Sequence, residues 1–215
     1  MTGTMRVTIV GTGNMARAIA RRALAGGHHV TFVGTVVSKA DELVDEFRGE
    51  GPVAADETVG GDLVVLAVPY TQAPHVVRQH ADRLEGMVVV DVTNPVDLGA
   101  LEPLDRAFIA PFDSAAQVIA AAAPDGARVV KAFNTTFAGP LTAGAVAGRP
   151  LDVFIAGDDA EAKERVAQLA RDGGLRAIDA GTLARARELE SLGYFHMAIQ
   201  GSLGTAFASA VAVVP

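Results

Sequence analysis

Three small residues, Gly11, Gly13 and Ala16, follow a β-branched run, Val7 to Val10, and open a stretch with helical periodicity. Gly11 can take backbone angles closed to other residues, which lets the strand turn sharply. Gly13 has no Cβ, so an anionic group can approach the main chain, and Ala16 still allows the helix to lie close on the strand. Thr12, Asn14 and Met15 complete the loop. The first turn of the helix adds unpaired N–H groups and the positive end of its dipole. This chemistry suits a pyrophosphate. Gly26 and Gly27 end the helix, and a second β-rich run, Val30 to Val33, follows. Strand, glycine turn, helix and strand in that order turn a weak glycine pattern into a dinucleotide site.

The end of the second strand bears on which dinucleotide. NAD sites usually carry an acidic residue there to hold the ribose hydroxyls. Here no Asp or Glu occurs between Val30 and Ala40, whereas Thr35, Ser38 and Lys39 offer contacts to a ribose phosphate. NADP(H) is therefore favoured, with NAD(H) as the alternative because no arginine stands at that position.

In open parallel sheets, ligands lie beyond the carboxyl ends of the strands. The later strand ends contribute Ala67, Val68, Pro69 and Tyr70; then Thr93, Asn94 and Pro95; then Ala132, Phe133, Asn134 and Thr135. The first group suits a wall of the nicotinamide groove. Asn94 and Asn134 carry amides able to hold a carboxamide or the edge of a flat heterocycle. Each is equally at home as a strand-end turn former.

No acid or base stands out. There is no Tyr-x-x-x-Lys pair, no His–Asp pair at a strand end, and no residue is assigned a catalytic role. His28 and His29 read as a solvated turn, His75 and His80 as the polar side of a helix, and His196 as a half-buried structural residue. Asp91, at the end of a buried strand, reads as an organiser of the loop after it. Glycines, amides and apolar walls without a proton donor suit hydride transfer between two groups that bring their own chemistry.

The elements that must position these residues alternate strand and helix, which predicts a doubly wound parallel α/β sheet of the Rossmann type with a small C-terminal α/β part. Helices are expected at 40–47, 71–84, 114–123, 160–171 and 184–200. Strands are expected at 63–68, 87–92, 128–133, 151–156 and 175–179. The last helix carries Leu189, Leu192, Phe195 and Ile199 as its apolar side, and the tail from Phe207 to Val214 reads as an edge strand or a partner contact. A soft boundary at Pro124 separates a nucleotide-binding part, 1–124, from a part, 125–215, that completes the cleft and supplies a dimer contact.

Composition excludes several classes. The 215 residues carry a net charge of −7, which argues against a phosphate-tracking nucleic-acid surface. There are no cysteines, so thiolate catalysis and cysteine metal sites are out, and no other metal site is read. No signal-peptide pattern or membrane-length apolar run occurs, and a cytoplasmic protein acting on a small molecule or cofactor is the default.

The residues resemble a known family. GTGNMA at 11–16, LAVPY at 66–70, VVKAFNT at 129–135, IAGDD at 155–159 and IDAGTLARARELE at 178–190 resemble the NADPH:deazaflavin oxidoreductases over nearly the whole chain. VVKAFN and the closing RELE are also similar to the cytosolic oxidoreductase domain of six-transmembrane ferric reductases. The resemblance implies a homodimer with NADPH over the first loop and a deazaflavin in a cleft lined by Phe133 to Thr136. Thr35 and Val36 stand where the family carries serine and arginine, and Asn134 where it carries histidine. Three readings result: hydride transfer to a deazaflavin or flavin, reduction of a small imine or carbonyl with Asp91, Tyr70 or His196 as proton source, and NADP(H) binding without catalysis.

Overall fold

The computed structural model describes residues 3–34, 37–97, 99–100, 102–104 and 112–214. Eight strands form one sheet: β1 (Arg6–Val10), β2 (His29–Val33), β3 (Val53–Asp56), β4 (Leu63–Leu66), β5 (Val88–Asp91), β8 (Arg128–Lys131), β11 (Asp152–Gly157) and β12 (Arg176–Gly181). The numbering leaves room for two short ribbons, β6 (Val96–Asp97) with β7 (Glu102–Pro103), and β9 (Ala145–Val146) with β10 (Arg149–Pro150). The sheet order is β12-β11-β8-β5-β4-β1-β2-β3. Every pairing is parallel except β11 against β8. The fold is the Rossmann-like α/β architecture that the sequence predicts.

Nine helices occur among the described residues: α1 (Asn14–Ala25), α2 (Val37–Glu46), α3 (Ala73–Gln79), α4 (Ala81–Leu84), α5 (Ala115–Ala122), α6 (Ala138–Ala143), α7 (Ala160–Asp172), α8 (Ala186–Ala198) and α9 (Gln200–Leu203). Two apolar cores form on the two faces of the sheet. One packs Ile19, Leu43, Phe47 and Val166 against Val7, Ile9 and Val65; the other packs Val77, Leu84 and Ile119 against Val64, Leu66 and Val89. The central strands are apolar on both sides because both sides are covered. All four residues of β4 are buried.

Local chemistry sets the helix ends. Ser114 caps α5 by accepting the Gln117 N–H, and Asp159 caps α7 by accepting the Ala162 N–H. The stripe Ala16, Ile19, Ala20, Ala23 and Leu24 on α1 is buried as its spacing requires.

Several expectations are corrected. The helix expected over 71–84 starts at Ala73, with Pro74 in its first turn, and breaks at His80 into α3 and α4. Strand β3 was not anticipated; at the sheet edge it buries little and shows no apolar run. Between β5 and α5, where no element is expected, the chain forms the β6–β7 ribbon, and residues 98, 101 and 105–111 lie outside the described residues. The tail makes no strand; the Val213 N–H instead bonds Asp152 Oδ2 at 2.7 Å. On α8 the buried side is Leu189, Glu190, Gly193 and His196, while Phe195 is exposed, because the helix lies over polar strand ends and not over the core. His28 is buried, not solvated: its Nδ1 accepts the Met5 N–H at 3.2 Å, and its Nε2 lies 3.4 Å from Asp172.

Candidate functional site

The strand order reverses between β1 and β4, whose neighbours lead away in opposite directions. The crevice beyond the carboxyl ends of such strands is where ligands bind in this architecture. A cavity of about 1050 Å³ lies there.

Gly11 turns the chain out of β1 with φ +124°, and a Cβ on it would stand 2.2 Å from the carbonyl oxygen of Ala67 at the end of β4. The protein's own packing thus requires that glycine. Gly13 differs. Its φ is −82°, open to any residue, and a Cβ there would meet no protein atom within 4 Å. It borders the cavity. A glycine there leaves room for a group in the cavity to approach the main chain. The α1 N-terminus behind it has no side-chain cap and no acidic residue in its first turn, so its N–H groups face the crevice uncompensated. This cradle fits a dinucleotide pyrophosphate.

The other expected residues fall in distinct places. Asn14, Met15, Ala67, Val68, Pro69 and Tyr70 border the cavity, as do Thr93, Asn94, Phe133 and Asn134. Ala16 and Ala132 are buried in the apolar core beneath it. Thr12 uses its carbonyl oxygen to accept from Arg17 at 2.6 Å. Pro95 accepts the Leu104 N–H at 2.9 Å, which ties the β6–β7 ribbon to the strand end. Lys39 is exposed in the first turn of α2. Thr35 and Val36 lie outside the described residues.

Asn94 and Asn134 form a pair. The amide of Asn134 donates to Asn94 Oδ1 at 2.8 Å and to the Leu189 carbonyl oxygen at 2.9 Å, while the amide of Asn94 donates to the Asn134 carbonyl oxygen at 2.8 Å. Gly193 of α8 packs on this pair, and a Cβ there would come within 3.0 Å of both asparagines. Three buried polar atoms around the cavity lack a protein partner: Thr93 Oγ1, Asn134 Oδ1 and Thr136 Oγ1. Buried polar groups are ordinarily hydrogen-bonded, so these mark where a ligand's polar edge is awaited.

Behind the pair lies a buried ionic network. Lys131 Nζ is 2.8 Å from Asp91 Oδ2, 2.8 Å from Glu190 Oε1 and 2.5 Å from the carbonyl oxygen of Thr93. Asp91 Oδ1 accepts the Thr93 N–H, and Glu190 accepts the N–H groups of Ala115 and Ala116 at the start of α5. Burial disfavours the charge on Lys131, but the two carboxylates and their hydrogen bonds outweigh it and hold the ammonium above its ordinary value. The network fixes the backbone of Thr93 from below, while Asp91, Lys131 and Glu190 themselves do not line the cavity.

Among the described residues lining the cavity, Tyr70 alone titrates. Burial, with Glu190 and Asp91 nearby, pushes its phenol up to about 12. His196 is buried and structural. Its Nδ1–H donates to the Thr135 carbonyl oxygen at 3.2 Å, and its Nε2 accepts from Ser209 at 2.8 Å. Burial holds its imidazole below the ordinary value. No group of three or more metal-ligating side chains occurs among the described residues, and none of their helices is long and apolar enough to cross a membrane.

The cavity has a second half whose residues the sequence reading did not name, although it expected the 125–215 part to complete the cleft. It is built by Phe137 and the start of α6, by Ala147 in the β9–β10 turn, by Met197 of α8, and by Ala206, Phe207 and Ala208. Four non-glycine residues among those described have positive φ: Phe133 (61°), Ala147 (51°), Ala206 (47°) and Phe207 (62°). All four border this cavity. Ala147 shares its turn with Gly148, as a two-residue hairpin turn requires. All four carry backbone strain on the order of 1 kcal/mol each.

Comparison with known proteins agrees with this geometry. Residues 6–95 match the family described as NADP oxidoreductase, coenzyme F420-dependent. The chain is 26% identical over 202 residues to an F420-dependent NADP reductase of Methanocaldococcus jannaschii, covering 87% of this chain and 89% of the relative. It is 33% identical over 188 residues to the metalloreductase STEAP3 of Rattus norvegicus, covering 87% of this chain but 36% of that protein. The chain thus spans about a third of the length of the metalloreductases it matches. A crystal structure from Arthrobacter sp. FB24, provisionally described as an F420-dependent NADP reductase, superposes with a TM-score of 0.78 at 29% identity, covering 94% of this chain and 96% of that one.

Proposed function

We propose that this chain passes hydride between NADPH and a planar deazaflavin, a reading supported by its match over residues 6–95 to the family described as NADP oxidoreductase, coenzyme F420-dependent. The observation that carries the proposal is the cavity itself. It joins a pyrophosphate cradle at Gly13 to aromatic and amide walls, and among the described residues only the high-pKa phenol of Tyr70 titrates in it. Such a site gives position and dryness and leaves the chemistry to its two ligands.

In the direction of deazaflavin reduction, bound NADPH would supply the hydride from nicotinamide C4 and a bound deazaflavin would accept it at C5, with a proton from solvent completing the reduction. The Asn94–Asn134 pair and Thr93 would hold polar edges of the ligands, and Val68, Pro69 and Phe133 would exclude water. Reduction of an imine or carbonyl would need a protein acid near the reacting atom. Asp91 and His196 do not border the cavity; Tyr70 does and carries a proton, but a phenol pushed up to about 12 is a weak acid for that step. A flavin is the other planar acceptor of the right shape.

NADP(H) is the favoured dinucleotide, because no carboxylate stands at the start of α2 and Lys39 is exposed there. The same reading includes a homodimer in the cytoplasm, the second part of the chain completing the cleft. Apolar side chains left exposed near the end of the chain, Phe195, Leu203, Val213 and Val214, support the dimer.

The test is an anaerobic acceptor screen with NADPH against the deazaflavin, FMN and a ferric chelate. Faster NADPH oxidation with the deazaflavin than with the other two supports the proposal. Tight NADPH binding with no oxidation by any of them sinks it. Lys39→Ala should weaken NADPH more than NADH, and equal losses remove the phosphate role from that residue.

A further inference from the structure

The chain leaves α8, makes the short α9, and returns across the cavity through Thr205 to Ser209. The Ala208 N–H bonds the Thr205 carbonyl oxygen at 2.9 Å, so Ala206 and Phe207 are the two central residues of a tight turn. Both have positive φ, 47° and 62°. Turns of that sense ordinarily use glycine or asparagine, because a Cβ is strained there. A bulky aromatic at the second of these positions is an outlier.

The turn is held firmly. Thr205 Oγ1 donates to Gln200 Oε1 at 2.6 Å, Gln200 Nε2 donates to Ser209 Oγ at 2.9 Å, and Ser209 Oγ donates to His196 Nε2 at 2.8 Å. Farther along, Arg176 donates to the Val213 carbonyl oxygen at 2.5 Å. This segment is a strap anchored on both sides of a strained apex. The side chain at the apex is left 40% exposed.

Phe207 meets Phe137 edge to face, with centroids 5.0 Å apart and planes at 87°. The imidazole of His196 stacks on Phe137 at 4.4 Å. Phe137 and Phe207 therefore form a right-angled aromatic corner bordering the cavity. A flat fused-ring ligand can lie on one ring and place its edge against the other. The strained backbone and the exposed ring both run against the stability of the free protein, and strain of this kind is retained where a site needs it.

We propose that Phe207, presented by this strained strap, is the specificity-determining residue for the hydride acceptor and selects a planar fused-ring heterocycle by stacking. This inference rests on the proposed function and deepens it. The dinucleotide does not depend on Phe207, because its cradle lies at the Gly11–Ala16 loop.

Phe207→Gly tests the idea, since glycine accepts the backbone angle while removing the ring. The readouts are deazaflavin fluorescence quenching for acceptor binding, NADPH fluorescence for dinucleotide binding, and thermal melting. Expected are an unchanged or slightly raised melting temperature, NADPH affinity within about twofold, and deazaflavin affinity weakened about tenfold, the size that heterocycle–aromatic stacking gives. Phe207→Tyr restores the affinity. Wild-type affinity for deazaflavin in Phe207→Gly, an equal loss of NADPH affinity, or no recovery in Phe207→Tyr overturns the inference. Wild-type protein that binds deazaflavin through Phe207 yet transfers no hydride overturns the proposed function alone. Wild-type protein that binds no deazaflavin overturns both.

Discussion

Replacing Lys131 by methionine removes the cation shared by two buried carboxylates. Asp91 and Glu190 are left facing the same space, each within 2.8 Å of the lost ammonium. Breaking a buried pair in this way costs about 3–5 kcal/mol, because a charge stays buried without its partner. The Thr93 N–H on Asp91 and the two α5 N–H groups on Glu190 remain, which places the cost toward the lower end. For a chain of this size about 1 kcal/mol moves the melting temperature by about 2–4 °C, so the fall should be about 6–20 °C. Lys131 has a raised pKa in the fold. Its stabilisation is therefore complete below the unfolded lysine value and is lost only as pH rises through the higher folded one. A calorimetric scan at neutral pH thus captures the whole effect. The triple variant Asp91→Asn, Lys131→Met, Glu190→Gln removes all three charges and should recover at least half of the fall. A fall under about 2 °C in the single variant would refute the reasoning. So would a triple variant less stable than the single one.

Two glycines of the first loop should behave oppositely. Gly13→Ala, whose Cβ would meet no protein atom, should leave stability within about 0.5 kcal/mol while weakening the dinucleotide about tenfold; isothermal titration showing unaltered affinity would remove the ligand explanation for that glycine. Gly11→Ala, at φ +124° and against the Ala67 carbonyl, should lower stability by about 1–3 kcal/mol or more, read by urea denaturation, and a neutral result would show that the turn can relax. Burial lowers the pKa of both His28 and His196. Their unfolded imidazoles titrate near about 6.5, so stability should be complete above that pH and decline as pH falls toward the lower folded values. Urea midpoints compared on the two sides of that value should show the decline, made shallower by His196→Asn; flat midpoints would contradict it.

The loop from Gly11 to Ala16 is legible in the sequence because its function depends on spacing within one turn and on the strand just before it. The strand ends at Ala67–Tyr70 and Thr93–Asn94 follow from the sheet rule once the strands are placed. The far wall is not legible. Phe137, Met197 and Phe207 come to one cavity only because the chain returns after α8, and the sequence gives no hint that Ala206 and Phe207 take left-handed angles. The buried triad joins residues 91, 131 and 190, and the signal available for it is a lysine directly after the apolar pair Val129–Val130 in an expected strand. On α8 the apolar stripe through Phe195 pointed to the wrong side, because the buried side packs on asparagine amides, where Gly193 fits and a large apolar residue would not. Strand β3 escaped notice because an exposed edge strand of four residues needs neither alternation nor an apolar run.

The central claim is direct hydride transfer between nicotinamide and a deazaflavin within this cavity. Its sharpest test is an anaerobic single turnover with NADPH deuterated at C4 on each face in turn, followed by mass spectrometry of the recovered deazaflavin. The expected result is deuterium at deazaflavin C5 from one face only and none from the other. NADPH oxidation without deuterium in the deazaflavin, or with label from both faces alike, would contradict it.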